Sequence, residues 1–368
     1  MRVTIARAEP ADRWDILDFA NFVFSQAHVP HDFRRLLPKM YADDVDFTPC
    51  HYLAKEDGRI VGLVSALVYD MVYGEHRLKT GFVGTVSTHP YRRGAGYMKA
   101  CMALMHEDMA KKGVQLLVLG GQRQRYGHYG YSVGCPAVRH HTSRANVDKA
   151  LGSVNASDIR FTEETDGKEA SRLHMTREYR CERDPARYLA YVRSWNRAFY
   201  RIGEGDKCLG FCAQGLSDIE LYDPNDLLRV VKAYVSAFGD VDITMGIACP
   251  RENETLFSLA EHSAIINRDM VRPIDWPACA EFFLKVRAGC ISPLQDGLFR
   301  LGVEGVGTLE MRVEGGIPAC RLTDAAPDAA MSPTAAQELL FSTQSLFLPR
   351  GIRNWLPLPC WVPDQDGY

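Results

Sequence analysis

The sequence lacks the marks of several large protein classes. Its longest apolar runs, such as 116–119, are strand-sized, and its first residues, MRVTIARAEPADRWD, hold no signal-peptide core. These absences predict a cytoplasmic protein with no membrane partner. No long block of one charge sign occurs: 43 Lys and Arg stand against 46 Asp and Glu, for a net charge of −3. Nucleic acid therefore finds no electrostatic footprint. There is no CxxC pair and no Cys/His cluster at zinc spacing. The eleven cysteines are an odd number and lie mostly in hydrophobic segments, which predicts reduced thiols and no metal. In that setting the sequons at Asn155 and Asn253 are chance matches. The P-loop ending and the GxGxxG fingerprint are missing too.

What is present is an ordinary globular composition, 46% hydrophobic and 24% charged, over 368 residues. At roughly 150 residues per domain the length points to more than one core. The first 145 residues alternate strands and helices. Val3–Ala6 reads as a strand, Pro10 opens a helix through Phe24, and a second helix fits His31–Tyr41. Strands at Cys50–Lys55 and Ile60–Tyr69 flank Asp57-Gly58, a hairpin turn, and a third strand runs Leu78–Thr88. Met98, Cys101, Met102, Met105 and Met109 give Tyr97–Lys112 a helical period closed by Gly113, and Val114–Leu119 reads as a buried strand. From Ile159 the same order starts again, as a degenerate repeat of the first domain or as the common arrangement of mixed α/β segments. The matching stretch there, Leu221–Asp226, has neither glycine nor arginine. A third section follows from about Met270, with a helix at Ile274–Val286, strands at Leu298–Val303 and Thr308–Val313, a helix at Thr334–Leu346 and a proline-rich tail predicted to run extended.

Chemistry concentrates in two places. In 86–98, VSTHPYRRGAGYM, a strand enters a basic, glycine-rich loop that opens directly into a helix. Glycines there let a ligand come close, and the helix dipole favours an anion, so the loop is a candidate pyrophosphate site; the alternative is a solvated basic turn. The second place is 120–131, GGQRQRYGHYGY, just after the buried strand, where ligands approach α/β sheets.

Together these segments resemble the GNAT superfamily of acetyl-CoA-dependent N-acetyltransferases. The family's Arg/Gln-x-x-Gly-x-Gly/Ala loop matches Arg93-Gly94-Ala95-Gly96-Tyr97-Met98 except at Met98, and its Tyr-x-x-x-Gly-Phe/Tyr motif matches Tyr126 through Tyr131. The length and the order of sections resemble the Eis-type (enhanced intracellular survival) members. That resemblance implies an α/β (α+β) architecture in three parts: a catalytic GNAT domain with a mixed sheet (1–145), a degenerate GNAT-like domain (146–272) and a smaller sterol-carrier-protein-like domain (273–368).

The resemblance also implies roles. Val86, Ser87 and Thr88 would pair with the pantetheine arm of acetyl-CoA, and Arg93, Gly94, Ala95, Gly96, Tyr97 and Met98 would hold the pyrophosphate. Gly121 and Gln122 would add cofactor contacts. Tyr126, protonated at neutral pH with an ordinary phenol pKa of about 10, is the candidate general acid, the alternative being a packed aromatic. The carboxylate of Tyr368 is the candidate general base, the alternative being a frayed terminus. His28, His31 and Glu75 are side-chain alternatives that also read as surface or capping residues; His89, His140 and His141 read as peripheral. Phe22, Phe24, His28 and Phe33 are candidate walls of the acceptor pocket, or simply core. No metal is implied, and the resemblance suggests a homo-oligomer, a trimer or hexamer. The expected activity is N-acetyl transfer to a small-molecule or lysine amine. The competing reading is a non-catalytic acyl-CoA sensor or lipid-binding assembly protein.

Overall fold

The computed structural model describes residues 2–27, 29–347 and 354–368. The first part of the chain runs β1 (Val3–Arg7), α1 (Arg13–Ala27), the one-turn helices α2 (Phe33–Leu36) and α3 (Pro38–Tyr41), β2 (His51–Glu56), β3 (Arg59–Tyr73), β4 (His76–Thr88), α4 (Tyr97–Lys111), β5 (Leu116–Leu119), α5 (Arg123–Tyr126), β6 (Ser132–Thr142) and α6 (Arg144–Ala150). The middle runs β7 (Ile159–Glu163), α7 (Lys168–Met175), β8 (Tyr179–Cys181), α8 (Tyr188–Val192), β9 (Phe199–Glu204), β10 (Lys207–Ala213), β11 (Ser217–Leu221), α9 (Leu227–Phe238), β12 (Val241–Gly246), α10 (Pro250–Leu259) and β13 (His262–Pro273). The last part has α11 (Trp276–Cys290), β14 (Gly297–Val303), β15 (Gly307–Glu314), β16 (Ile317–Thr323), β17 (Ala329–Met331) and α12 (Pro333–Phe341).

Local sequence explains most boundaries. Asp57 and Gly58 both take positive φ, +45° and +85°, which matches the twist of the β2–β3 hairpin. The single helix expected over His31–Tyr41 is instead two short ones. Leu37 precedes a proline, which disfavours helical backbone, and it sits at φ −130°, ψ 63° between α2 and α3. Helix α4 buries Tyr97, Cys101, Met102, Met105 and Met109, so the buried stripe begins at Tyr97 and not at Met98. The helix expected to reach Leu346 stops at Phe341, and a 3-10 turn follows.

The principal sheet has the order β1-β2-β3-β4-β5-β13-β6-β12, with β8 pairing the far end of β3. Its strands are antiparallel except for β4 and β5. Two of its members come from the middle of the chain. β13 lies between β5 and β6, pairing Met270–Pro273 with 116–119 and His262–Val271 with 132–141, while β12 covers the outer edge of β6. A second sheet, β11-β10-β9-β7, packs on α9, and a third, β16-β15-β14-β17, packs on α11.

One core cluster joins β4 and β5 to α11, β14, β15, α12 and the tail. Residues 354–368 form no helix or strand, yet Trp355, Leu358, Cys360 and Val362 are buried. The tail is held by charge as well. Arg183 binds both carboxylate oxygens of Asp366 at 2.8 and 2.7 Å, and Lys39 donates to the carbonyls of Gln365, at 2.6 Å, and Gly367. This extended segment carries Tyr368 back to the principal sheet.

Candidate active site

The site begins where β4 and β5 part. Their parallel pairing covers only Thr80–Phe82 against Leu116–Val118, so the edge of β4 beyond Phe82 has no partner in β5. The bend has a visible cause. Between the pairs Leu63–Ser87 and Ser65–Gly84, Val64 faces both Thr85 and Val86, a bulge that turns the strand. Thr85 there has φ +48°, a conformation costing a β-branched residue about 1–3 kcal/mol.

A cleft of about 810 Å³ opens along this edge. Val86, Ser87 and Thr88 line one side, Arg92, Arg93, Gly94, Gly96, Tyr97, Met98 and Lys99 the end, and Gln122, Arg125 and Tyr129 the other side. Val23, Phe24 and Ala27 of α1 close it. Gly94 and Gly96 both take φ +83°, a left-handed turn that a Cβ would strain. Gly96 caps α4 with no side-chain hydrogen bond, so the helix N-terminus lies open. Among the described residues no carboxylate pairs with Arg93, Lys99 or Arg125, and no carboxylate lines the cleft. Arg92 is different. Its Nε donates to Glu56 at 2.7 Å, and Glu56 also accepts from the Tyr97 hydroxyl, which ties the loop to the β2–β3 hairpin. The result is a rigid loop with spare positive charge, which fits a polyphosphate.

Tyr126 lies behind Gly121. A Cβ on Gly121 would come within 2.3 Å of its ring, so only glycine allows this seat. The ring is 7% exposed; burial raises the phenol above its ordinary range and the neighbouring Arg125 partly offsets this. Its proton is therefore fully present at neutral pH. The turn carrying it is braced from the last part of the chain, where Gln337 of α12 donates to the Gly130 carbonyl at 3.0 Å and Arg123 pairs with Glu338.

The structure thus brings Val86, Ser87, Thr88, Arg93, Gly94, Gly96, Tyr97, Met98, Gln122 and Phe24 to one cleft, with Ala95 in the exposed loop; Gly121 and Tyr126 do not line it but are the chain neighbours of Gln122 and Arg125, which do. Phe33 does not line it: at 1% exposure it supports Phe24 from behind, with ring centroids 5.1 Å apart. Phe22 is exposed beside His89. His28 lies outside the described residues. Glu75 sits with His76 in a separate surface cleft, away from the site. His31 belongs to the aromatic cluster of Phe24, Phe33 and Trp195.

Tyr368 is seated, not frayed. Its ring lies over Gly84, where a Cβ would be 2.0 Å away, and its hydroxyl is 2.7 Å from Ser65 Oγ. Sequence reading missed Gly84, Ser65, Lys39 and Glu56. The glycine inside an otherwise apolar strand was a usable mark of close approach; the others carried none.

Residues 4–134 match the family model described as an acetyltransferase (GNAT) domain, and this part of the chain is such a domain. The whole chain shares the fold of several solved structures. A GCN5-related N-acetyltransferase from Anabaena variabilis is 12% identical with a TM-score of 0.70, covering 100% of both chains. One from Kribbella flavida is 15% identical with a TM-score of 0.64, covering 92% of this chain and 89% of that one. Eis1 from Mycobacterium abscessus is 14% identical with a TM-score of 0.63, covering 92% and 89%. The chain therefore shares its fold with these structures, Eis1 among them, along most of its length. No curated protein matches the sequence. Among the described residues no helix is long and apolar enough to cross a membrane.

Proposed function

We propose that this chain is an acetyl-CoA-dependent N-acetyltransferase acting on a primary amine by direct attack. The observation that carries the reading is one cleft uniting an open cationic helix N-terminus and a strand edge without a partner, with the buried protonated Tyr126 next in the chain to its lining residue Arg125. The free edge at Val86–Thr88 offers backbone groups to the pantetheine amides, and an N–H there polarises the thioester carbonyl. Arg93 to Met98 take the pyrophosphate, with Gly121 and Gln122 beside it. The amine nitrogen bonds to the carbonyl carbon as the carbon–sulfur bond breaks. Tyr126 gives its proton to the leaving sulfur, and the carboxylate of Tyr368 takes the proton that the amine loses. Phe24, backed by Phe33, walls the acceptor side. The acceptor is a small-molecule amine, an aminoglycoside-like polyamine or a lysine.

The resemblance adds a cytoplasmic homo-oligomer, trimer or hexamer, built from the three sections 1–145, 146–272 and 273–368. In this reading the last section places the tail and does not carry a sterol. Mass-spectrometric detection of acetylated product from polyamines, aminoglycosides and lysine peptides tests the proposal. Tyr126→Phe should lose at least about a hundredfold in rate, the low end for a missing general acid. Bound coenzyme A with no product from any amine would favour the sensor reading.

A further inference from the structure

The bulge at Thr85 is held by a row of buried polar side chains that the reaction above does not use. His51 Nδ1 lies 2.7 Å from the Phe47 carbonyl, and its Nε2 lies 2.9 Å from the Tyr41 hydroxyl. That hydroxyl is 2.8 Å from Thr85 Oγ1, which is 2.7 Å from Ser65 Oγ. Ser65 Oγ also reaches the Gly84 carbonyl at 2.9 Å and the Tyr368 hydroxyl at 2.7 Å. His51, Tyr41 and Ser65 have no exposed surface, and Thr85 has 5%.

Counting protons fixes the direction of the His51 end of this row. Burial pushes His51 down to about 4, so the ring is neutral at pH 7; Nδ1 faces a carbonyl and must carry the proton, leaving Nε2 as acceptor. Tyr41, held protonated by its burial, therefore donates to His51 and accepts from Thr85. Thr85, its proton spent, accepts from Ser65. Ser65 has one proton for Thr85 Oγ1, the Gly84 carbonyl and the Tyr368 hydroxyl, and the Tyr368 hydroxyl in turn donates to Met40 Sδ. The Tyr41 and Thr85 hydroxyls point toward His51. A buried row whose His51 end has one allowed orientation holds its members in place.

We infer that the row from Tyr368 through Ser65, Thr85 and Tyr41 to His51 locks the β4 bulge in its left-handed form and so sets Val86–Thr88 against the reacting thioester. Tyr41 and Thr85 are then positioning residues for acyl transfer. The inference rests on the acetyltransferase reading, since the thioester is that reaction's substrate.

Three variants test it: Thr85→Gly, Thr85→Ser and Tyr41→Phe. Glycine adopts φ near +48° without strain, so if Thr85 only fills space, Thr85→Gly keeps full activity. The lock instead requires kcat to fall about tenfold or more in Thr85→Gly and Tyr41→Phe with KM for acetyl-CoA within about twofold, the pattern of lost positioning. Thr85→Ser, which keeps the hydroxyl, should recover kcat to within about threefold of the native protein. Amide hydrogen exchange across 84–88 in the free chain should speed up about tenfold in the first and third variants. Native kcat together with native exchange overturns the lock and leaves the acetyltransferase reading standing. If the native protein acetylates no amine, that reading fails on its own, and exchange decides the lock: faster exchange across 84–88 supports it and unchanged exchange overturns it.

Discussion

The chain passes twice from a strand through a short loop into a long helix, and the two passages have opposite chemistry. Between β4 and α4 the loop is exposed, basic and left-handed at two glycines, and the helix N-terminus is open. Between β11 and α9 an aspartate closes the turn: Asp223 accepts from the Asn225 amide at 2.9 Å, and Asp226 pairs with Arg229 at the start of the helix. Two carboxylates thus stand at the entry to α9, where α4 has glycines and arginines. The strands differ as well. β11 is an edge strand whose one neighbour is β10, whereas β4 leaves β5 inside a sheet and makes a walled cleft. An anion site thus needs both the loop chemistry and the parting of two strands.

The deeper layers of the two regions contrast in the same way. Beneath the β4 bulge lie neutral hydroxyls and a neutral histidine. Beneath β11 the buried groups are charged, with Arg183 bound to Asp218 and Asp366 and Arg177 to Glu220. The neutral layer seats the Tyr368 ring over Gly84 without adding a charged side chain. The charged layer fastens the tail a few residues earlier.

Changing one passage into the other should have the largest effect. Gly96→Asp puts a carboxylate where α9 has one, and acetyl-CoA binding measured by calorimetry should weaken about a hundredfold, while the aspartate tolerates the left-handed backbone. A loss below about threefold would mean that the open helix end does not hold the phosphates. Acid should come next. The buried His51 and the half-buried His106, held down to about 4 and about 3 by desolvation and, at His106, by the nearby Arg272, bind fewer protons folded than unfolded. Their contribution is full above pH about 6.5 and is lost as pH falls toward the folded values, on the order of 2 kcal/mol each by pH 5. Melting temperatures between pH 7.5 and 5 check this, and His51→Gln should flatten the curve. Gly84→Ala, which drives a methyl into the Tyr368 ring, should cost about 1–3 kcal/mol in denaturant unfolding, the usual range for overpacking. The smallest expected effect lies in the middle of the chain. Asp226→Gly should create no coenzyme A binding there, because β11 has no parted neighbour; any measurable binding would show that the loop alone suffices.

Much of this contrast was legible in the residues. The absence of glycine and arginine from Leu221–Asp226 predicted that the second loop could not copy the first, and the hairpin at Asp57-Gly58 and the helix after Gly96 follow from local backbone preference. The break at Leu37 was also written in Pro38, but the apolar period across it hid the break. Phe33 shows the other kind of failure. Its spacing marks it as aromatic on the inner side of α2, and only packing decides that Phe24 takes the cleft while Phe33 stands behind.

By itself, then, the sequence determined the elements with strong local rules, the cationic glycine loop and the tyrosine after β5, because turn chemistry, helical period and charge act over a few residues. Only the tertiary structure decided that β13 enters the principal sheet more than a hundred residues after β6. It alone placed Tyr368 over Gly84 and joined His51, Tyr41, Thr85 and Ser65 into one row. Those pairings join residues far apart along the chain, and no local preference encodes them. They arise when burial leaves each polar group a single partner within reach.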